Sequence, residues 1–76
     1  MKIEYDPSVD AAYISLKENL EDGEAENSYN CDPLGVKGQI TLDFDKDGRL
    51  IGIDVYDASK KLPEEILNIA EKINTD

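Results

Sequence analysis

The chain has no histidine and a single cysteine, Cys31, among its 76 residues. The missing imidazole removes the commonest general base and every Ser-His or Cys-His nucleophile pair, so only carboxylates, tyrosines and lysines could move a proton. One thiol cannot form an internal disulfide, and a zinc ion would have to be held by carboxylates and one thiolate. These absences argue against an enzyme, a disulfide scaffold and a zinc domain.

Basic side chains are also few. Eight lysine and arginine residues stand against eighteen aspartate and glutamate residues, which gives a formal net charge of -10. Such a chain repels phosphate backbones and anionic lipid, and it has no basic stripe to offset that repulsion. We therefore expect no nucleic-acid partner and no membrane partner. An acidic surface favours solubility, a basic protein partner or bound cations.

Long apolar runs are missing as well. No stretch approaches the roughly 18 residues of a membrane span, and the opening MKIEYD lacks the apolar segment of a signal peptide. These features predict a cytoplasmic location. The length allows one domain, residues 1–76, with a thin core, because so short a chain buries only about 60% of its unfolded surface. Its stability is therefore marginal or shared with a partner.

Alternating apolar residues are what the chain does contain, and they predict an antiparallel sheet. KIEYD and AAYISLK alternate on either side of the turn signal DPSVD, which predicts a first hairpin over 2–17. A weaker alternation over 24–31 predicts a strand at a sheet edge, and the proline and two glycines of 32–38 predict a break after it. The strongest alternation predicts a central pair of strands over 39–45 and 49–57.

The loop between the central strands decides which side chains share a face. An even loop, with two residues at Asp47-Gly48 or four from Asp45 to Gly48, leaves the apolar residues on one face. A three-residue loop from Lys46 to Gly48, with Gly48 left-handed, would leave apolar residues on both faces and imply a dimer. The single-face pattern favours the even loop. Its opposed pairs are Phe44 with Ile51, Leu42 with Ile53, and Ile40 with Val55.

The last segment of the chain has the pattern of a helix. Pro63 suits the first helical position, and two glutamates follow it in the first turn, where the helix dipole favours negative charge. We predict an α+β fold in which a small antiparallel sheet, two hairpins with about four to five strands, carries one C-terminal amphipathic helix on one face (ββββα). The apolar residues at helical spacing are Ile66, Ile69, Ala70 and Ile73.

Two stretches resemble the hallmark blocks of the family called domain of unknown function 2283. They are MKIEYDPSVDAAYISL at the start and LDFDKDGRLIGIDVYDASKKLP further on, and together they cover about half of the chain in the family's order. The resemblance implies a small α+β domain and no catalytic residue, since none is established for the family. It also suggests an antitoxin, by analogy with such genes that neighbour those of small toxin-like proteins.

One motif has the spacing of a calcium loop. Asp43, Asp45, Asp47 and Gly48 match loop positions 1, 3, 5 and 6, and Asp54 stands at position 12. A calcium loop joins two helices, whereas strands are predicted on both sides of this one. The side chains of a hairpin cannot all turn around one ion. We interpret the stretch as a hairpin and keep the four aspartates only as weak candidates for metal binding.

The function that these features favour is protein interaction without catalysis. A small core and a strongly acidic surface predict either a homodimer or a complex with a small basic protein. Two alternatives stay open: an antitoxin-like inhibitor of a small basic toxin, and a divalent-cation binder through Asp43, Asp45, Asp47 and Asp54. We predict no catalytic residue, no cofactor-binding residue and no cofactor.

Overall fold

The computed structural model describes residues 1–21, 23–31 and 39–75. In chain order the elements are β1 Lys2–Asp6, β2 Ala11–Ser15, β3 Asn27–Cys31, β4 Ile40–Phe44, β5 Leu50–Tyr56, α1 Ala58–Lys61, α2 Glu64–Ile69 and β6 Glu71–Lys72. The strands form one sheet in the order β3-β4-β5-β2-β1-β6. All neighbours are antiparallel except β1 and β6, which run parallel. The predicted break over 32–38 lies outside the described residues.

The predicted first hairpin and the predicted edge strand are both confirmed. β1 and β2 pair from Lys2↔Ser15 to Asp6↔Ala11. Asp6 holds the turn between them, since its carboxylate accepts a 2.9 Å hydrogen bond from the backbone N–H of Ser8. β3 lies at one end of the sheet and pairs with β4. Short-range alternation and turn chemistry were therefore sufficient for these two parts of the fold.

The loop between β4 and β5 corrects the predicted register at one point. It is the three-residue loop from Lys46 to Gly48: the Asp45 N–H donates to the Arg49 carbonyl at 2.9 Å, and Gly48 is left-handed at φ 82°. This odd loop would reverse the faces, but a β-bulge at Ile51 restores them. The predicted pairs Leu42↔Ile53 and Ile40↔Val55 are therefore present, whereas Phe44 pairs with Leu50 instead of Ile51.

The core lies between one face of the sheet and α1. Ala58, the first residue of α1, is fully buried against Ala12 of β2 and Val55 of β5. Alanines at both contacts let the helix backbone approach the sheet closely, which explains how a four-residue helix can cover the core. The surrounding half-buried residues are Tyr5, Ile40, Ile53 and Leu62. The buried apolar residues of the described chain are small or medium in size: Ala12, Ile51, Val55, Ala58 and Ala70.

The predicted C-terminal helix is wrong in extent and in packing. Helix α2 ends at Ile69, whose side chain is 71% exposed, and the next residues form β6 beside β1. Lys72 caps the end of α2, because its ammonium donates to the carbonyls of Leu67 (2.8 Å) and Ala70 (3.1 Å). The residues after α2 thus form hydrogen bonds with the free backbone groups of β1 instead of adding another helical turn. The fold is α+β, but the described residues form six strands in a mixed sheet and two short helices in place of ββββα.

Candidate functional site

The four candidate aspartates are divided between a turn and a sheet face. Asp45 belongs to the turn, where its Oδ1 accepts the backbone N–H groups of Asp47 and Arg49, both at 2.9 Å. These bonds, chiefly the one from Arg49, hold the pKa of Asp45 below its usual range. The exposed carboxylate of Asp47 lies 3.3 Å from the Arg49 guanidinium. Asp45 is therefore used to close the loop.

Asp43 lies on the sheet face opposite the core, which we call the polar face. Its Oδ2 accepts a 2.8 Å hydrogen bond from the Tyr13 hydroxyl, and its Oδ1 accepts one of 2.7 Å from the Ser28 hydroxyl. Tyr13 reaches Asp43 by crossing β5 at Gly52, where only a hydrogen leaves room for the ring. Burial raises the pKa of Tyr13 and the bond to Asp43 adds to the rise, so the hydroxyl remains a donor. The polar face includes Tyr13, Ser28, Asn30, Thr41, Asp43, Gly52, Asp54 and Tyr56.

Asp54 lies in the middle of the polar face, opposite Tyr13 on one side and Thr41 on the other. Partial burial raises the pKa of Asp54, and the neighbouring charge of Asp43 raises it further, although a hydrogen bond from Tyr56 opposes the shift. Removal from water disfavours the ionised form, and a like charge disfavours it again. Ionisation of Asp54 therefore costs the fold stability.

Asp54→Asn should stabilise the protein at neutral pH. The raised pKa means that the folded state binds the Asp54 proton more tightly than the unfolded state, so the wild type loses stability as the pH rises above about 4. The asparagine variant has no such loss. Because Asp54 is only partly buried and water screens its charge, we expect a gain of at most about 1 kcal/mol at pH 7. Urea unfolding of both proteins across the pH range measures the difference.

The difference between the two proteins should be small below about pH 3, where Asp54 is protonated in both states. Asp47→Asn is the matched control: it changes the net charge equally but lies on the exposed turn. We expect a change within about 0.5 kcal/mol for it at pH 7. An Asp54→Asn variant that is less stable than the wild type at pH 7 contradicts the assignment.

The arrangement of these aspartates offers no shared ligand cage. Within residues 1–21, 23–31 and 39–75, no group of three or more His, Cys, Asp and Glu side chains comes together in a way that could hold a metal ion. The calcium-like spacing of the sequence reflects the needs of a hairpin: Asp45 bonds the turn backbone, and Gly48 takes the left-handed position.

A second polar cluster joins two distant parts of the chain and was not predicted from the sequence. The Asp10 carboxylate accepts hydrogen bonds from the Tyr5 hydroxyl (2.8 Å), the Ser59 N–H (2.9 Å) and the Ser59 hydroxyl (2.7 Å). The Asp10 carbonyl also accepts the N–H of Ala58 at 2.9 Å. Asp57, directly before α1, makes no capping bond through its side chain. Asp10 therefore caps α1 from 49 residues away.

The bonds to Asp10 have an electrostatic consequence. They lower the pKa of Asp10, with the Ser59 hydroxyl as the largest cause and the Tyr5 hydroxyl next. The same contact raises the pKa of Tyr5, because an ionised phenolate would lose its bond to Asp10. The ionised carboxylate and the neutral hydroxyls thus stabilise one another.

Most of the chain matches the model of one protein family. Residues 2–59 match the model of the family described as Protein of unknown function (DUF2283). The chain belongs to the DUF2283 family. No curated protein and no solved structure matches it significantly. The resemblance of the two sequence blocks to this family is thereby confirmed.

The matched span of the DUF2283 family contains both ends of the Asp10 cluster. It begins at β1 and stops at Ser59, so α2 and β6 lie beyond it. Asp10 lies in the first of the two blocks and Ser59 in the second. The two blocks that resemble the family are therefore hydrogen-bonded to each other in the fold. Their joint occurrence in one family was the signal in the sequence that could have linked Asp10 to Ser59.

The strand β3 forms one edge of the sheet in this DUF2283 domain. Its five residues, Asn27–Cys31, carry no charge. Ser28 donates to Asp43, and Asn30 accepts a 2.9 Å hydrogen bond from the Thr41 hydroxyl, so both polar side chains are held by β4. Tyr29 points to the other face, opposite Leu42, and is 62% exposed. The thiol of Cys31 is free and half-buried.

No helix in the part of the domain that the structure describes is both long enough and apolar enough to traverse a bilayer.

Proposed function

We propose that this DUF2283 domain is a non-enzymatic protein-interaction domain that binds its partner along β3. The observation that carries the proposal is the free edge of this strand: among the described residues, β3 pairs with β4 on one side and with no strand on the other. Alternate backbone N–H and C=O groups of an edge strand point away from the sheet, where another strand can bond them.

The composition of β3 supports this proposal. Proteins commonly protect an edge strand with lysine, proline, an inward charge or a bulge. The five residues Asn27–Cys31 contain no charge and no proline, although 34% of the chain is charged. Strand addition to such an edge needs no loss of a charged side chain from water. β3 therefore has the character of a pairing surface.

The incomplete core supports it as well. Ala58 of α1 and Leu62, directly after α1, pack with β1, β2, β4 and β5 around Val55. Tyr29 and Leu42 lie on the same apolar face nearer to the β3 edge, and Tyr29 is largely exposed while Leu42 is half-exposed. A domain of this size gains a large share of its stability from each buried apolar side chain. A partner on this edge would complete the cover.

Tyr29→Lys should abolish the interaction. It puts an ammonium group at the middle of β3, where a paired strand would have to desolvate it. Extracts of the source cells, with the chain at its native level, are to be separated by size under non-denaturing conditions and probed for the chain. We expect the wild type in a species larger than the 8.5 kDa monomer and the variant as a monomer.

Val9→Lys is the matched control for this experiment. Val9 is an apolar residue of similar exposure, 67%, and lies in the β1–β2 turn, several strands away from β3. Val9→Lys changes the net charge by the same amount as Tyr29→Lys. Because Val9 lies far from β3, the variant should leave the larger species intact. A wild-type chain that migrates as a monomer, or a complex that survives Tyr29→Lys, overturns the proposal.

A further inference from the structure

We infer that the strand added to β3 is β3 of a second copy of this chain, paired antiparallel about a two-fold axis. This inference rests on the proposed function and names its partner. The two edges would join the sheets of the two copies into one continuous sheet, with the polar faces on one side and the apolar faces on the other.

The distribution of charge selects a second copy. The chain carries a net charge of -10, so two copies that meet through most of their surface set acid against acid. The five residues of β3 contribute no charge, and identical uncharged strands avoid that cost at the contact itself. A basic partner gains attraction only where it meets acidic side chains, and the five residues Asn27–Cys31 offer it none.

The geometry of β3 is self-complementary. An antiparallel pair of identical strands has two-fold symmetry. If one residue of the first copy contacts a second residue of the other copy, the reverse contact is also made. Ser28 and Asn30 are already fixed by hydrogen bonds to β4, so little further ordering is needed on pairing. Tyr29 is the middle residue of the strand, which places it near the axis beside its symmetry mate. Pairing would thus cover the exposed tyrosine of each copy.

Salt distinguishes this dimer from a complex with a basic protein. The Debye length falls from about 30 Å at about 0.01 M salt to about 8 Å at about 0.15 M. Screening weakens the repulsion between two acidic chains, so the dissociation constant of the dimer should fall several-fold over that range. Binding of a basic protein would weaken instead, because screening reduces its attraction.

Sedimentation equilibrium of the purified chain tests the inference. We expect a species with twice the 8.5 kDa chain mass and a dissociation constant that decreases with salt. Tyr29→Lys should raise that constant at least tenfold even though it lowers the net negative charge of each copy. Val9→Lys lowers the charge equally and should leave the constant unchanged or smaller. Circular dichroism establishes that both variants are folded.

A mixture of differently isotope-labelled copies locates the contact independently of any variant. Nuclear Overhauser effects between copies should connect β3 backbone protons to those of its mate. A purified chain that is monomeric at millimolar concentration, or a dimer without contacts between the two β3 strands, overturns the inference. If the cell extract still contains a complex sensitive to Tyr29→Lys, the proposed function stands with a different partner. A monomer in both experiments overturns both proposals.

Discussion

Gly52→Ala is expected to lower the free energy of unfolding by about 2 kcal/mol, because a Tyr13 bond to a charged acceptor is lost and only part of that loss is offset by removing a strand glycine. A Cβ at position 52 would lie 1.9 Å from the Tyr13 hydroxyl oxygen and 2.5 Å from the ring carbon that bears it. The ring must therefore move and release Asp43. Thermal unfolding should show a midpoint roughly 10 °C lower.

A double-mutant cycle tests whether Tyr13 is the cause. In a Tyr13→Ala background the space above residue 52 is empty, and Gly52→Ala should become neutral or stabilising by up to about 1 kcal/mol. Gly48→Ala is the control, since a Cβ there meets nothing within 4 Å but the backbone is left-handed at φ 82°. It should cost about 1 kcal/mol in both backgrounds. An equal cost of Gly52→Ala in both backgrounds contradicts the explanation.

Asp10→Ala is expected to lower the free energy of unfolding by about 3 kcal/mol, through lost hydrogen bonds to a carboxylate and a left-handed residue that alanine tolerates poorly. Three donors, two from Ser59 and one from Tyr5, lose their acceptor. The residue stands at φ 53°. Loss of the cap should loosen α1, so hydrogen exchange should increase most at Ala58 and Ser59.

Asp10→Asn is the matched variant for this prediction. Asparagine tolerates the left-handed conformation and keeps one oxygen acceptor, so it should cost less than half as much as alanine. Because the folded pKa of Asp10 is lowered, its contribution is present above about pH 4 and is lost as the pH falls through the folded pKa. The advantage of wild type over Asp10→Asn should therefore shrink in acid, whereas acid removes the disadvantage of wild type relative to Asp54→Asn. An advantage that stays constant down to about pH 2 contradicts this assignment.

The loop between β4 and β5 shows how far local rules reach. Gly48 takes the left-handed position that the three-residue alternative required, yet the one-sided apolar pattern that favoured an even loop is also present. Both observations hold because the β-bulge at Ile51 adds the residue that reconciles them. Nothing in the alternation marks that residue, since a bulge follows from the competition of loop geometry and face parity across two strands.

The candidate site was only partly accessible to sequence reasoning. The two-residue period places Asp43 on the polar side of β4 and Asp54 on the polar side of β5. The Tyr13 bond over Gly52 and the Asp10 bonds to Ser59 join residues on different strands or 49 positions apart, and no spacing rule connects them. Asp10 is an ordinary residue for a turn and Gly52 is explained locally as a strand glycine. Their sequence contexts therefore do not indicate the contacts they make in the folded protein.

The amino-acid sequence by itself determined the first hairpin, the two central strands, the edge position of β3 and the membership in the DUF2283 family. These depend on alternation and turn chemistry, which act over a few neighbouring residues. Only the tertiary structure decided that Ile69 is exposed, that the following residues form β6, and that Asp10 caps α1. The physical reason is that a helical pattern and a free strand edge compete for the same backbone hydrogen bonds, and the outcome depends on which parts of the chain meet in space.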